Sequence, residues 1–492
     1  MRLHRLTCAV VAGLALATGG TSQAAEAAQY LLRVKRASAL EQVCQTHGLK
    51  VVRSIGWLSL YTVTGASEAS DPTLVARVRA DKAVSTFEPD FVATTGETAA
   101  RSGIQQTTQP LDDALAVDRT LVDFQGALAW NGYVNQPALA KLEVEAARAD
   151  ASQGEGITVA VIDSGVDPDH PLLRDALLPG YDFTRNVYGA SEWGDLDQST
   201  AAILDGGRCR TYSPGVTDEE GKVVQSTAAI LDSACVPGRL TQSTAAILDT
   251  ESVDRLAGAP PLPPAFGHGT MVAGLIHAVA PHARILPLKA FSSDGTGRSA
   301  DIAQAIYYAV LNGARVLNLS FTFERESQEV GYATAFAAQQ GCIVVAAAGN
   351  DGLVVQRWPA QHDWVVGVGA TTLWDTRAPF SNQGYGTFKI GAPGVDLVTT
   401  FPGGYYAAVS GTSFSTPLVS GAVVLMGAAA PLLDWSATAN VVRIGRYAEI
   451  ADVVFGEDHQ YPQRIIVPSA VDLATRLERG SVKQIQTLSE KP

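Results

Sequence analysis

Four residues in this chain have the types and settings that nucleophilic acyl transfer needs: a serine, a histidine, an aspartate and an asparagine, each at the edge of an apolar run. Ser413 lies in Gly411-Thr412-Ser413-Phe414-Ser415-Thr416-Pro417, ahead of the apolar and small residues Leu418 to Ala430. A serine at the start of a buried helix has its Oγ beside unpaired backbone N–H groups and the positive end of the helix dipole, a setting that favours an oxyanion. Pro417 fits such a helix if it falls in the first turn. His268 sits between two glycines in Gly267-His268-Gly269-Thr270-Met271-Val272-Ala273-Gly274, so backbone can approach the imidazole closely. Asp163 ends the run Thr158-Val159-Ala160-Val161-Ile162 and precedes Ser164-Gly165-Val166-Asp167. Asn350 ends another run and can turn its amide toward the same place. Singly, each has an ordinary reading: Asp-Ser-Gly and Asn-Asp-Gly are common turns, and Thr412 or Ser413 can be a plain N-cap. His277 and His282 read as ordinary histidines, and no histidine spacing after residue 100 suits zinc, so no metal is assigned and the chemistry requires no cofactor.

Such residues must be held by a sheet. Near-continuous apolar strands are predicted at 157–163, 284–291, 315–321, 342–350 and 364–371, with helices at 299–311 and 328–340. Buried strands separated by helices indicate an α/β fold, a mostly parallel sheet sandwiched by helices, whose sites gather at the carboxyl ends of strands. A helical stretch from Gln136-Pro137 through Arg148 precedes it. Residues 29–95 read as a small α+β domain in the order β-α-β-β-α-β. In it, Ser38 and Glu41 predict a capping box, Gly48 a helix stop, and Asp71-Pro72 a second helix start. A strand from Val84 to Val92 closes that domain. Residues 96–127 read as a linker, with Arg101-Ser102-Gly103 an exposed, cleavable place. Residues 441–492 carry no motif.

The segment 186–264 breaks the strand and helix rhythm. It contains Gln-Ser-Thr-Ala-Ala-Ile-Leu-Asp three times without change, starting at Gln198, Gln225 and Gln242, and the unequal spacing rules out a solenoid. The readings are a surface elaboration, a flap over the cleft, a segment cut during activation, or an association surface, since Ala-Ala-Ile-Leu can pair as an edge strand. Cys209 and Cys235 share this segment and form the plausible disulfide, while Cys342 reads as a buried small hydrophobe.

At 492 residues and 46% hydrophobic, the chain is long enough for one large core with accessory segments. A formal charge of -13 offers no basic surface for nucleic acid. Arg2 and Arg5, an apolar run from Leu6 and small residues near Ala25 predict a signal peptide over 1–25, hence a secreted, extracellular or periplasmic protein without a membrane anchor.

Taken jointly and in order, Val-Ile-Asp-Ser-Gly-Val, Gly-His-Gly-Thr, Ala-Gly-Asn and Gly-Thr-Ser resemble the motifs of the subtilases, over roughly residues 128–440 outside the insertion. The resemblance implies a serine endopeptidase in which Asp163 orients His268, His268 takes the Ser413 proton, and Asn350 with the Ser413 N–H binds the oxyanion. It also implies that polypeptide substrates lie as an added strand between Gly295, Thr296 and Gly297 on one side and Leu319, Ser320 and Phe321 on the other. Thr322 stands where the family usually has Gly, and Phe414 where it usually has Met, which predicts lower sensitivity to peroxide. Residues 29–95 resemble a subtilase propeptide, which implies a chaperone and inhibitor whose last strand enters the cleft, and maturation by self-cleavage. Calcium is left open, because Asp167, Asp169 and Asp195 read equally as ordinary surface charges. The alternatives are a catalytically silent binding protein of the same fold, or an esterase, for which a Gly-x-Ser-x-Gly elbow is lacking.

Overall fold

The computed structural model describes residues 28–55, 58–65, 71–95, 118–150, 153–196, 262–384, 386–431, 465 and 467–478, with short strands at 216–217, 223–225 and 245–247. The signal peptide, Arg101-Ser102-Gly103, Cys209, Cys235 and most of the octapeptide copies lie outside the described residues. The chain divides into two compact units, one comprising residues up to Ser54 with Ser59–Pro89, the other Ile55–Leu58 with everything from Asp90 onward.

The smaller unit has the predicted order. Strands Lys50–Ile55, Leu60–Thr64, Gln29–Val34 and Val84–Pro89 lie side by side in that sequence, with Gln29–Val34 antiparallel to both Leu60–Thr64 and Val84–Pro89. Tyr30 and Phe87 stack in its core at 4.9 Å between ring centroids. Helix Pro72–Arg79 starts as the sequence predicts, Asp71 accepting the Thr73 N–H at 2.8 Å with Pro72 at the first position. Helix Leu40–His47 ends on Gly48 in the left-handed region, φ 68°, as expected, but its start differs. A short 3-10 turn at Ala37–Ala39 runs into it and Ala39 is the N-cap, so Ser38 forms no capping box.

The larger unit is built on an eight-stranded sheet. Its order is Val187–Tyr188, Tyr181–Asp182, Arg284–Lys289, Thr158–Asp163, Val316–Leu319, Ile343–Ala347, Val365–Thr371 and Ile390–Pro393. All neighbours are parallel except the first pair. Helices His268–Val279 and Thr412–Ala429 cover one face with a core that includes Val159, Val161, Val345, Val366 and Leu418. Ser299–Leu311 and Gln328–Gln339 cover the other, over Ile162, Leu288, Leu317 and Val344. Strand residues alternate between the two faces, which is why these segments read as continuous apolar runs. Among the described residues only Thr412–Ala429 is long and apolar enough to cross a membrane, and it is a buried core helix.

Three readings change. The stretch from Gln136 to Arg148 is two helices, Pro137–Lys141 and Val144–Asp150, broken where Glu143 adopts φ 57°. The strand predicted to reach Val92 stops at Pro89, and residues 90–95 group with the larger unit. The motif-poor tail contributes helix Val467–Glu478, whose Val467, Ala470 and Ala474 pack on the Thr412 helix. A hairpin, Leu397–Phe401 with Tyr405–Val409, had no strong signal; Ala245–Ile247 of the third octapeptide adds an antiparallel strand to its Tyr405–Val409 edge.

Candidate active site

Asp163 ends its strand at the carboxyl edge of the sheet and His268 opens the helix that crosses it. Both are buried, and His268 Nδ1 lies 2.6 Å from Asp163 Oδ1. The flanking glycines act as the sequence implied. Gly267 takes φ 88° as N-cap, and a Cβ there would sit 2.6 Å from the Phe401 ring. A Cβ on Gly269 would overlap the Gly165 carbonyl oxygen. The imidazole is thus seated by backbone packed too closely for any side chain.

Ser413 is the second residue of helix Thr412–Ala429, so its own N–H belongs to the unpaired first turn. Pro417 is the sixth residue, beyond the first turn where the sequence placed it, and lacks the N–H that would bond to the Ser413 carbonyl. Ser320 supplies the missing donor: its hydroxyl gives a 2.8 Å bond to Ser413 O and accepts from Asn318 Nδ2 at 3.0 Å. Asn318 Oδ1 accepts from Ser420 two turns further along, at 2.8 Å. The strand end therefore holds the nucleophile's helix at two points.

Asn350 Oδ1 accepts both the N–H and the hydroxyl of Thr412, each at 2.9 Å. Occupying the oxygen fixes which way the amide points, and Asn350 lines the small pocket formed with Phe321, Thr322, Ala347, Gly349 and Ser413. Ser413 and Asn350 both border this pocket.

Residues 92–95 occupy the cleft as a strand. Thr94 and Ala93 pair with Thr296 and Gly297, and Thr95 N–H donates to Gly295 O at 3.1 Å. On the other side Thr94 exchanges bonds with Thr322, at 3.0 and 2.9 Å. The Ser413 hydroxyl donates to Thr95 O at 2.9 Å and is 3.2 Å from Ser320 O. Asp90, just upstream, caps helix Ser299–Leu311, taking bonds from the Ser299 hydroxyl at 2.9 Å and the Ala300 N–H at 3.0 Å. Gly295, Thr296 and Gly297 lie along this segment, and Ser320 O lies at the Ser413 hydroxyl. Leu319 and Phe321 are both buried in the core, and Thr322 takes the pairing position.

The ground behind the dyad was not foreseen. Lys289, directly across the sheet from Asp163, is fully buried and donates to Ser164 O and Phe291 O, each at 2.6 Å, and to Asp195 at 2.7 Å. A buried ammonium is tolerable only with all three protons placed, as here. A lone lysine in the run Ile285 to Phe291 was the available signal. Asp167 is also buried, accepting from Trp193 Nε1 at 3.0 Å and Gly403 N–H at 2.8 Å, and Asp195 also pairs with Arg185. These two are structural hubs rather than surface charges; Asp169 alone is exposed. No carboxylate and histidine cluster suited to a metal occurs among the described residues. Cys342 is buried as expected, and burial pushes its thiol up to about 11.

Phe414 packs its ring 5.3 Å from that of His268. Met271 and Met426 are both buried, so no methionine among the described residues lies open beside the nucleophile.

A model described as "Subtilase family" matches residues 154–448. A thermophilic serine proteinase of Bacillus sp. (strain AK1) is 33% identical over 279 residues, 56% of this chain and 54% of that protein. Subtilisin BL of Lederbergia lenta is 40% identical over 179 residues, 35% of this chain and 65% of that protein. In both comparisons the match spans less than two thirds of the relative. The crystal structure of fervidolysin from Fervidobacterium pennivorans, described as a keratinolytic enzyme related to subtilisin, superposes with a TM-score of 0.60 at 19% identity, covering 91% of this chain and 61% of that one.

Proposed function

The chain belongs to the subtilase family, and from that premise we propose that it is a secreted serine endopeptidase made as a self-processing zymogen. In this reading Ser413 Oγ attacks the carbonyl of an extended polypeptide while His268 takes its proton on Nε2. Asp163, bonded to Nδ1, fixes the tautomer and supports the imidazolium. Asn350 Nδ2 and the Ser413 N–H hold the oxyanion, His268 returns the proton to the leaving amine, and water then releases the acyl group from Ser413.

The observation that carries the reading is the chain's own segment 92–95, paired as a strand on both walls with the Thr95 carbonyl at the nucleophile. Residues 29–95 are then the propeptide, and the bond cut is the one after Thr95 or the next, upstream of Arg101. N-terminal sequencing of the matured protein tests this: a chain starting at Gly96 or Glu97 is expected, with Ser413→Ala remaining full length. A fluorophosphonate probe should label the wild type and not Ser413→Ala, and casein should be cleaved in preference to a short-chain ester. Processing that is unchanged in Ser413→Ala, or failure of the probe to label a folded wild type, overturns the reading in favour of a silent binding protein.

A further inference from the structure

Glu192 lies within the segment read as an insertion, yet its side chain is wholly buried behind the dyad. Its Oε2 accepts the Gly267 N–H at 2.7 Å and the Ser164 hydroxyl at 3.3 Å, and its Oε1 accepts the Thr270 hydroxyl. Ser164 accepts the Gly269 N–H at 3.0 Å and gives its own N–H to Asp163 Oδ1 at 2.7 Å. Gly267 and Gly269 flank His268. One carboxyl group therefore grips the backbone before the imidazole directly, the backbone after it through Ser164, and the Asp163 carboxylate through that same residue.

The Gly267 N–H can only donate. Thr270 Oγ1 accepts the Asp167 N–H at 2.8 Å and Ser164 Oγ the Gly269 N–H, and each hydroxyl keeps a proton and a second lone pair with which to meet Glu192 in either protonation state. The charged groups around it are Lys289, Asp167, Asp195 with Arg185, and the Asp163–His268 pair. Burial pushes the Glu192 carboxyl up to about 8, against the pull of Thr270, Gly267 and Lys289 and with a push from Asp167.

We propose that Glu192 is a positioning residue for acyl transfer: it holds the turn carrying His268 against the loop carrying Asp163. It acts through these neighbours and does not touch the substrate. The inference rests on the peptidase reading, and it matters because misplacing a catalytic group by about 1 Å costs on the order of 10²-fold in rate.

The test uses the full chain with Glu192 changed to Ala, Gln or Asp. For each, kcat and KM on a peptide anilide are measured per site titrated by a fluorophosphonate. Glu192→Ala should lower kcat about 10- to 100-fold with KM within about twofold. Gln can take the Gly267 N–H on its oxygen and give its amide to Thr270, so kcat should return to within about fivefold of wild type. Asp keeps the charge but is one methylene short, and should fall with Ala. Wild-type kcat per site in the Ala and Asp variants, or a loss confined to KM, overturns the proposal. If Ala does not accumulate, Gln against Asp decides alone, equal kcat values counting against it. A wild type that neither labels nor cleaves is a different result, and sinks the peptidase reading instead.

Discussion

The Asn350 amide is poised by its oxygen, which Thr412 holds with two donors. Truncating such a donor costs about 10²- to 10³-fold in kcat when the oxyanion forms in a closed site. Asn350→Ala should therefore lose kcat on that scale and keep KM, because the strand pairing that binds peptide does not pass through it. Glu192 predicts a pH effect of known sign. Its carboxyl is raised from about 4.5 to about 8 by burial, so between those values the folded chain keeps a proton that the unfolded chain has released. Its contribution to stability is complete below about 4.5 and is lost as pH rises through 8. Buried His170 and His362, each lowered to about 4, work the other way: stability grows as pH rises from about 4 to 6.5. Comparing melting curves of Glu192→Gln with wild type cancels the histidines. The melting temperature of the variant relative to wild type should climb between pH 5 and 8, and a flat difference would mean that Glu192 does not titrate there.

At the scale of the elements, a kinkable helix is held by a strand end. The carbonyl orphaned by Pro417 belongs to Ser413, the proposed nucleophile, and Ser320 satisfies it. Ser320→Ala should cost about 1–3 kcal/mol by leaving that buried carbonyl unpaired. Pro417→Ala restores an N–H in helical register, so the double variant should be more stable than the sum of the single changes predicts, by about 0.5–2 kcal/mol in denaturant unfolding. Additive values would show that the two residues do not share the carbonyl. The same elements show what a sequence can disclose. The placement of Asp163, His268, Asn350 and Ser413 was legible because each sits where a local pattern ends, at a strand terminus or a helix start, while the roles proposed for them came only from the four motifs taken jointly. Glu192 and Lys289 were not, since their role is set by partners that chain folding brings from far along the sequence. The Leu397–Val409 hairpin escaped because Thr399-Thr400 and Ala407-Ala408 stand side by side within its strands, interrupting both the alternation and the apolar run that mark a strand. Leu319 and Phe321 were assigned to the wall because a strand's last residues are next to the cleft in sequence, although both side chains pack in the core and the pairing falls to Thr322.

Across the whole molecule, the insertion has two parts with different jobs. Its first residues, up to Leu196, carry Glu192, Trp193 and Asp195 and belong to the scaffold of the dyad. A flexible Gly/Ser linker replacing 198–261 should retain peptidase activity, whereas a deletion beginning at residue 190 should abolish it, both read by casein hydrolysis. The first replacement also strips Ala245–Ile247 from the Tyr405–Val409 edge, so light scattering should find it more prone to associate. Equal activity in the two deletions would contradict this division.

The strand at 92–95 has a further consequence, for molecularity. If the proposed self-processing takes place, the segment is covalently continuous with the cleft it fills, and its first cleavage would be a unimolecular event whose half-time is indifferent to dilution. Once the bond is broken, departure of the severed piece, with Asp90 still on the Ser299 helix and its pairs on both walls, becomes a reversible dissociation that dilution favours. The onset of activity toward other chains should accordingly sharpen as the protein is diluted, while the cut itself keeps the same clock.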